Sequence, residues 1–588
     1  MLDIKCDTVP LLEYYDFLAD YDHNILTIIN NSYRDCDLTI SVKPEGIFEY
    51  CIPGTMDLKS PGAWKPASIP KYQDSLFPEA SYFNQAISNY NRACLAYYII
   101  DPLFLRNNSS TPEHIKENPD EQSYHTVREI FEKEIFPDEE GESLIPTNFA
   151  VLNLAFYPSE KASYNFCYQN EYSTDSVLLS AGIDSDGKLL QPDTRWGGIM
   201  RPCNAVYEKE GITLLDVLMM DPYADDSSFH IVRNDINPCI YFNIGNISED
   251  IYYDGKQSKE NAVLCTSGNN LDSTAFGVLH DTLINTMFLG NCQDIGYDGL
   301  SDEEERLYFN FYISRLAANF GSSSVACQNA MEDPSNDNYH YYRGTDYDNM
   351  ELSILDRYRY YCNADGNSPS SGQSPEIYPT SATSLPDQED ANRNFHFDTT
   401  EAYFQYKISL KPEDLRIGTN HIIDTLIRNV TFKNGKESQV IYYRLLLNLN
   451  EYDSKYGNIE SLPDSSFLRI FVKGAGNDLF LRFVTMNLVF SHKERYVYKL
   501  NSEDKLLIYP NPSSGSFYLV SMQQVNYIQI YSLSGKEISY YFRTPYSGAT
   551  PDVNFYYISL DNSISKGIYI IKAFFDTGSA TKRIMITD

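Results

Sequence analysis

The chain has 588 residues and a formal net charge of -35, from 46 lysines and arginines against 81 aspartates and glutamates. This length exceeds one compact domain and suits about three or four. The strong negative charge repels polyphosphates, so we exclude nucleic acid as a partner. The 49 tyrosines, together with many Asn, Ser and Asp turns, favour wide antiparallel sheets and a mainly β, extracellular protein.

The start of the sequence, Met1–Cys6, lacks the basic and then apolar stretches of a secretory signal peptide. Because the composition favours an extracellular protein, we expect that the sequence is a mature or truncated form, or that the gene start is incomplete. No run of about eighteen apolar residues occurs, so the sequence predicts no transmembrane helix.

Single cysteines are spread over the first two thirds of the chain. The eleven are Cys6, Cys36, Cys51, Cys94, Cys167, Cys203, Cys239, Cys265, Cys292, Cys327 and Cys362. The absence of a Cys-x-x-Cys pair disfavours a zinc ribbon. An odd count leaves at least one thiol unpaired within a monomer, and both disulfides and ordinary buried cysteines remain open for the others.

Two helices are predicted among the strands. The first lies between Thr111, an N-cap hydroxyl followed by a proline, and Pro137. Its predicted apolar side consists of Val127, Ile130, Phe131 and Ile135. The second begins after Ser301, because the acidic run 302–305 suits the positive end of a helix. Its predicted apolar face consists of Leu307, Phe311, Leu316 and Phe320.

A calcium loop is predicted just before the second helix. Asp294, Asp298 and Asp302 stand four residues apart around a glycine that permits a sharp turn, and such carboxylate oxygens suit calcium. The spacing departs from the EF-hand pattern, and the same acids can instead serve the helix as cap and dipole partners. A weaker candidate is the segment Asp184–Gly187. Calcium is the only cofactor that the sequence suggests.

The later part of the chain shows the two-residue period of strands. One face of the segment 441–449 consists of Ile441, Tyr443, Leu445, Leu447 and Leu449. Leu468, Ile470 and Val472 share a face in the next run, and a turn at 474–478 leads into a strand over 479–489. The segment Asn363–Asn392, rich in Ser, Pro, Asp and Gly, is predicted to be a long irregular loop.

The last residues, 505–588, form a predicted compact β module. Short apolar-alternating runs are each bounded by Pro, Asn, Ser or Gly, which is typical of half-buried strands joined by tight turns. Its motifs in order are Tyr509-Pro510-Asn511-Pro512, Ile530-Tyr531-Ser532-Leu533-Ser534-Gly535-Lys536, Gly567-Ile568-Tyr569-Ile570-Ile571 and Lys582-Arg583-Ile584-Met585-Ile586. This succession resembles the type A C-terminal sorting domain of proteins exported by the type IX secretion system. The resemblance implies an export signal that an outer-membrane translocon reads and that is usually removed afterwards.

A second resemblance covers the middle of the chain. The segments that carry it are Asn91–Phe104, Asn107–Ser109, Arg195–Arg201, Met219–Tyr223, Tyr241–Asp250, Gly296–Ser301 and Tyr339–Asn349. They are similar, in the same order, to the gliding-motility and secretion family SprA, also called Sov, the outer-membrane translocon of the same system. This chain is far shorter than that family and ends in a sorting domain, which belongs to cargo. We therefore do not expect it to conduct anything.

The predicted fold is mainly β with a minor α+β part. It comprises multidomain antiparallel β-sandwich or jelly-roll-like units with a few short helices, and a C-terminal Ig-like β-sandwich. The predicted units are a β-rich, truncated N-terminal segment, two SprA-like parts of which the second is a β-sandwich, and the sorting domain, at 1–85, 86–300, 301–495 and 505–588.

No catalytic motif stands out. The nine histidines are scattered, and His-Glu-x-x-His, Gly-x-Ser-x-Gly and Walker-type patterns are missing. His280-Asp281 and His340 leave a spatial triad open. Trp64 and Trp196, with the tyrosines at 339–342 and 358–361, offer a platform for a glycan or a protein, although core packing is the expected role of such aromatics. We predict no enzyme, and no catalytic or cofactor-binding residue.

The expected function is that of a non-catalytic, SprA/Sov-like, secreted or cell-surface protein related to protein secretion or gliding motility. It is expected outside the outer membrane of a Gram-negative bacterium. Its partners are the type IX translocon and sorting machinery, through 505–588, and a further cell-surface protein or glycan partner remains open. Two alternatives are kept: a secreted hydrolase with an unrecognised active site, and a calcium-stabilised adhesin or glycan-binding protein.

Overall fold

The structure is a computed structural model with two compact units, one formed by residues 56–488 and the other by 1–55 together with 489–588. It describes residues 15–20, 25–30, 38–43, 47–81, 85–137, 148–203, 211–223, 237–258, 296–362, 374–378, 380, 387–394, 396–449, 451–462, 466–492, 498–499, 506–509, 516–521, 523–532, 536–543, 554–560, 567–576 and 578–586. Most of its regular structure is antiparallel sheet with a few short helices, so the mainly β fold predicted from sequence is confirmed.

Both units contain strands. They are β1 (Tyr15–Asp20), β2 (Ile25–Asn30), β3 (Leu38–Lys43), β4 (Ile47–Asp57), β5 (Lys65–Pro66), β6 (Ala93–Tyr98), β7 (Leu152–Lys161), β8 (Glu171–Tyr172), β9 (Leu178–Ser180), β10 (Trp196–Pro202), β11 (Gly211–Met220), β12 (Cys239–Asn246), β13 (Ala402–Ser409), β14 (Ile422–Thr431), β15 (Glu437–Asn448), β16 (Ser454–Tyr456), β17 (Phe467–Lys473), β18 (Leu479–His492), β19 (Tyr498–Lys499), β20 (Leu507–Tyr509), β21 (Ser516–Ser521), β22 (Tyr527–Ser532), β23 (Tyr540–Arg543), β24 (Asn554–Leu560), β25 (Gly567–Phe575) and β26 (Gly578–Ile586).

The helices are short and belong to the unit 56–488. They are α1 (Gln85–Asn89), α2 (Pro102–Leu105), α3 (Glu113–Lys116), α4 (Glu132–Ile135), α5 (Asp302–Tyr308), α6 (Asn310–Phe320), α7 (Val325–Glu332), α8 (Thr345–Asn349) and α9 (Ile354–Arg359). Among the residues described, no helix has the length and apolar character needed to cross a membrane.

Two large sheets build the unit 56–488. The first has the order β6-β7-β18-β11-β15-β14, and the second has the order β16-β13-β12-β17-β10-β5. Side chains from both sheets belong to one hydrophobic core, including Leu215, Val217 and Leu447 from the first and Phe242 and Ile470 from the second. Burial of apolar surface between two sheets is what stabilises such an arrangement. In the other unit, β1 to β4 pair in sequence order, and β19 pairs with β4.

The strands predicted from alternation lie where the sequence placed them. Along β15, alternate residues Tyr443, Leu445 and Leu447 are buried, and Ile441 and Leu449 are partly buried against the same core. The predicted face of β17 is fully buried: Leu468, Ile470 and Val472. The two-residue period therefore identified both strands, although β17 is buried on both of its faces, since Phe467, Arg469 and Phe471 are buried as well.

The turn after β17 joins the two sheets and does not close a hairpin. β17 pairs with β10 and β12, whereas β18 pairs with β7 in the other sheet. Gly474 in this turn has φ +84, and a Cβ built there would lie 2.4 Å from the carbonyl oxygen of Asn237. Only glycine fits this position without strain, because an L side chain rarely adopts positive φ.

The first predicted helix, between residues 111 and 137, is wrong. Two single-turn helices, α3 and α4, and a 3-10 turn between them replace it. Pro119 lies in the middle of the run, where it removes a backbone donor and disfavours helix at the preceding residue. Phe131 is 38% exposed. The other three predicted apolar residues are buried: Val127, Ile130 and Ile135.

The second predicted helix is divided into α5 and α6 by a break at Phe309, where φ is -91 and ψ is 18. The predicted apolar face does not continue across this break. Leu307 and Phe311 are 79% and 64% exposed, whereas Leu316 is buried and Phe320 is partly buried against the core. The predicted face is therefore wrong in its first half and right in its second.

The C-terminal residues build two sheets of their own. One has the order β20-β21-β24-β23 and the other has the order β22-β25-β26. Both sheets contribute to one hydrophobic cluster, which includes Phe517 and Tyr556 from the first and Ile571 and Ile584 from the second. This cluster gives the tail a core of its own, as the alternating runs of its sequence predict.

Five cysteines lie among the residues whose burial is described. Cys167, Cys203, Cys239 and Cys327 are buried free thiols, and Cys94 is buried as well. For these five positions the structure favours ordinary buried cysteine, one of the two roles that the sequence left open.

Candidate functional site

Three buried carboxylates lie close enough together to hold a metal ion. Asp298, Glu305 and Asp337, here called the carboxylate cluster, each offer an oxygen, and these oxygens lie within 4.8 Å of one another. Each of the three residues is at most 1% exposed. Groups of like charge are rarely buried together unless a proton or a cation accompanies them.

The turn before α5 positions Asp298. Gly296 and Gly299 flank it in the left-handed region, with φ +68 and +69. One carboxylate oxygen of Asp298 accepts the N–H of Leu300 at 2.9 Å. This side-chain-to-backbone bond closes the turn and directs the carboxylate inward.

The start of α5 positions Glu305. Ser301 precedes the helix, and both its backbone N–H and its hydroxyl donate to the Glu304 carboxylate, at 2.9 and 2.8 Å. This cap fixes where the helix begins. The next residue, Glu305, therefore lies in the first turn, on the side that faces the core.

The segment after α7 supplies the third carboxylate and a bridge between the other two. The Ser335 hydroxyl donates to Asp298 Oδ2 at 2.7 Å, and the Ser335 backbone N–H donates to Glu305 Oε2 at 3.1 Å. Asp333 accepts the N–H groups of Asp337 and Asn338 at 3.2 and 3.1 Å. The segment 333–338 is therefore held in a tight turn against the cluster.

Three oxygen atoms of the cluster have no hydrogen-bond partner among the described residues. They are Oε1 of Glu305 and both carboxylate oxygens of Asp337. The nearby Tyr164 hydroxyl favours the charged form of Asp337 but does not reach hydrogen-bond geometry with it, and it accepts the Tyr297 N–H at 3.0 Å. A buried carboxylate without a partner is costly, so these atoms call for a further group.

The ionisation of the cluster reflects its burial. Burial raises the pKa of Asp298 to about 7, and burial together with the Asp298 and Asp333 carboxylates raises the pKa of Glu305 to about 9. The pKa of Asp337 is raised well above its usual value by burial and then by the same neighbours. In the absence of another charge, the cluster therefore retains protons at neutral pH.

The calcium loop predicted from sequence coincides with this cluster at one residue. Asp298 belongs to the cluster, whereas Asp302 is the first residue of α5 and lies 4.0 Å from Arg306 as an i,i+4 pair. Asp294 lies outside the described residues. Sequence reasoning missed Glu305, which it assigned to the helix cap, and Asp337, which local spacing does not connect to the loop.

His125 and His340 hydrogen-bond to neighbouring groups of the fold. His125 is buried, and one of its ring nitrogens bonds the carbonyl of Asp221. His340 uses one ring nitrogen for the Tyr341 carbonyl and the other for Asp346, at 2.6 and 2.8 Å. His280 and Asp281 lie outside the described residues.

The proposed aromatic platform is not available at the two tryptophans. Trp64 and Trp196 are each at most 1% exposed and belong to the central core. The Trp64 indole N–H donates to the Leu58 carbonyl at 2.8 Å, and the Trp196 ring packs edge-on against Phe77. Both tryptophans are therefore core residues and not a glycan surface.

Two family models match this chain, one in the C-terminal tail and one in the central region. Residues 507–587 match the family described as "Secretion system C-terminal sorting domain". The tail is a type IX sorting domain. It indicates export to the cell surface or into the medium, and it implies an interaction with the type IX secretion machinery.

The second match lies in the body of the chain. Residues 311–510 match the SprA family, described as "Motility related/secretion protein", which confirms the SprA-like central region. This match begins in α6 and includes Asp337, whereas Asp298 and Glu305 precede it. No curated protein matches the chain.

Proposed function

We propose that this protein is a non-catalytic, SprA/Sov-like component of the bacterial surface, related to protein secretion or gliding motility, which the type IX system exports. The observation that carries the proposal is the tail, which matches a sorting domain and has a hydrophobic core of its own. We place the exported protein outside the outer membrane of a Gram-negative bacterium, either attached to the surface or released.

The SprA match and the charge support a role among surface proteins. The matched region, residues 311–510, lies next to the sorting domain, and the chain carries a net charge of -35. A high net charge of one sign favours solubility and disfavours nucleic acid as a partner. The type IX translocon and sorting machinery are the proposed partners of the tail, and a second surface protein or glycan is the proposed partner of the body.

The absence of catalysis is part of the proposal. A general base needs a ring nitrogen or carboxylate within reach of the proton that it removes. His125 is buried against a backbone carbonyl, and both ring nitrogens of His340 are engaged. These two histidines therefore offer no base, which favours a binding or structural role over hydrolysis.

The test compares two variants that add the same charge to neighbouring strands of the tail. Ile571 is fully buried in the tail core, whereas Thr581 on the adjacent strand is exposed. Ile571→Asp disrupts the core, because burying an unpaired carboxylate costs several kcal/mol, roughly the stability of a small domain. We expect this variant to stay inside the cell envelope and Thr581→Asp to be exported like the unmodified chain, as judged by fractionation and surface protease accessibility. Equal export of both variants contradicts the proposal.

A further inference from the structure

We propose that Asp298, Glu305 and Asp337 bind a calcium ion. This site differs from the loop predicted from sequence at two of its three residues. It lies within the unit 56–488 and does not depend on export, so its failure and the failure of the proposed function are separate results.

The donor set and its size suit calcium. All three side chains offer carboxylate oxygens, which hard divalent cations prefer. Calcium binds oxygen at about 2.3–2.6 Å, so ligands on opposite sides of the ion lie about 4.6–5.2 Å apart. The cluster oxygens lie within 4.8 Å of one another, which fits across such an ion. Magnesium is less suited because it usually keeps several waters, and this pocket is fully buried.

The orphaned oxygens point to the ion independently of the clustering. Both carboxylate oxygens of Asp337 and Oε1 of Glu305 have no hydrogen-bond partner within the described part of the chain, although both residues are 0% exposed. Ser335 satisfies one oxygen of Asp298 and one of Glu305 and leaves the three other oxygens without a donor. A cation would satisfy all three atoms at once.

The ion would join three separate segments of the fold. Asp298 lies in the turn before α5, Glu305 in the first turn of α5, and Asp337 in the segment after α7. The last segment is tied to the β core, because the Tyr164 N–H donates to the Ser335 carbonyl at 2.6 Å. Calcium would therefore hold the start of α5 against the segment after α7, which is bonded to the sheets through Tyr164.

Tyrosines next to the cluster provide an optical test with Tb³⁺, a calcium substitute whose emission nearby tyrosines sensitise. The ring of Tyr164 lies 4.8 Å from that of Tyr252 and 6.2 Å from that of Tyr297, and the charges of Asp298 and Asp337 act on both Tyr164 and Tyr252. The experiment uses the full chain stripped with a chelator. It records the Tb³⁺ emission that Ca²⁺ displaces, and the melting temperature with and without Ca²⁺.

We expect saturable emission that calcium displaces with a Kd between roughly 10⁻⁵ and 10⁻³ M, and a melting temperature that rises by several degrees in about 10 mM calcium. Asp337→Asn and Glu305→Gln should each weaken binding on the order of tenfold or more, because affinity follows the ligand charge. Asp302→Asn is the matched control, since it removes a nearby charge outside the cluster, and it should bind like the unmodified chain.

The metal-free state separates a lost ligand from a damaged fold. Asp337→Asn keeps the shape of the buried side chain and carries no charge, so the metal-free variant should melt no lower than the metal-free parent. The proposal is overturned if the parent shows neither displaceable emission nor a calcium-dependent melting shift up to about 10 mM. It is also overturned if Asp337→Asn and Glu305→Gln gain as much from calcium as the parent. The parent titration decides the question even if one variant does not fold.

Discussion

At the residue scale, His125 is a histidine whose pKa is lowered by burial in the core of the unit 56–488. Its side chain is buried, and a ring nitrogen bonds the Asp221 carbonyl. Burial, and then the charges of Arg482 and Arg128, lower the pKa of His125 to about 3. The imidazole is therefore neutral in the folded protein at all but strongly acidic pH.

This lowered pKa predicts an acid-dependent loss of stability. The unfolded chain takes up a proton near pH 6.5, whereas the folded chain does so near pH 3, so this contribution is present above pH 6.5 and is lost as the pH falls. The effect is about 1.4 kcal/mol per pH unit within that window. In urea unfolding at pH 6 to 4, His125→Gln should reduce the slope of the unfolding free energy against pH. The exposed His396→Gln should not, and equal slopes in the two variants would count against a neutral, buried His125.

A second residue-scale prediction concerns the buried pair of Arg469 and Glu401. Both side chains are fully buried, and the guanidinium donates to the two carboxylate oxygens at 2.8 and 3.0 Å. Arg469→Met leaves a buried carboxylate without its main partner, which should cost about 3–5 kcal/mol in urea unfolding. The double variant Arg469→Met, Glu401→Gln should recover part of that loss. Strict additivity of the two substitutions would show that the residues are not coupled.

The sequence could predict only part of the carboxylate cluster. Asp298 stands between two glycines in an acidic stretch, and such a local pattern is visible in the sequence. Glu305 and Asp337 are thirty-two residues apart and meet through tertiary packing, in which Ser335 bridges the segments that carry Asp298 and Glu305. Ligands that tertiary packing brings together have no fixed spacing, so a search for spacing finds only the local one.

At the scale of elements, strand patterns were more informative than helix patterns. β15 and β17 each turn predicted residues to a core face, so a period of two identifies them. The helix predictions failed because Pro119 interrupts the period of 3.6 in the first helix and the break at Phe309 interrupts it in the second. The exposed positions of Leu307 and Phe311 depend on how α5 and α6 pack, which the residues of one helix do not specify.

The turn between β17 and β18 gives an element-scale prediction. Gly474 has φ +84 and a carbonyl oxygen 2.4 Å from the position of an added Cβ, whereas Gly435 has φ +80 and nothing within 4 Å. Gly435→Ala should cost only the backbone strain, about 1 kcal/mol. Gly474→Ala should cost clearly more, because the connection between the sheets must also shift. Equal melting temperatures for the two variants would show that the turn relaxes freely.

At the scale of the whole molecule, the sorting domain and the SprA-like region occupy different parts of the chain. The sorting domain has its own core at the C-terminal end, and the SprA-like region lies before it. The sequence predicted both because each region carries several short motifs in a recognisable order. It does not specify a binding surface on the body, since such a surface depends on side chains from several strands and helices.

The central claim is that the sorting domain sends this protein out of the cell through the type IX system. The most direct measurement compares the full chain with a chain ending before residue 507, each produced in a host with and without a functional type IX translocon. We expect only the full chain in the competent host to reach the surface or the medium. Export of the shortened chain to the same extent, or export of the full chain without the translocon, would contradict this account.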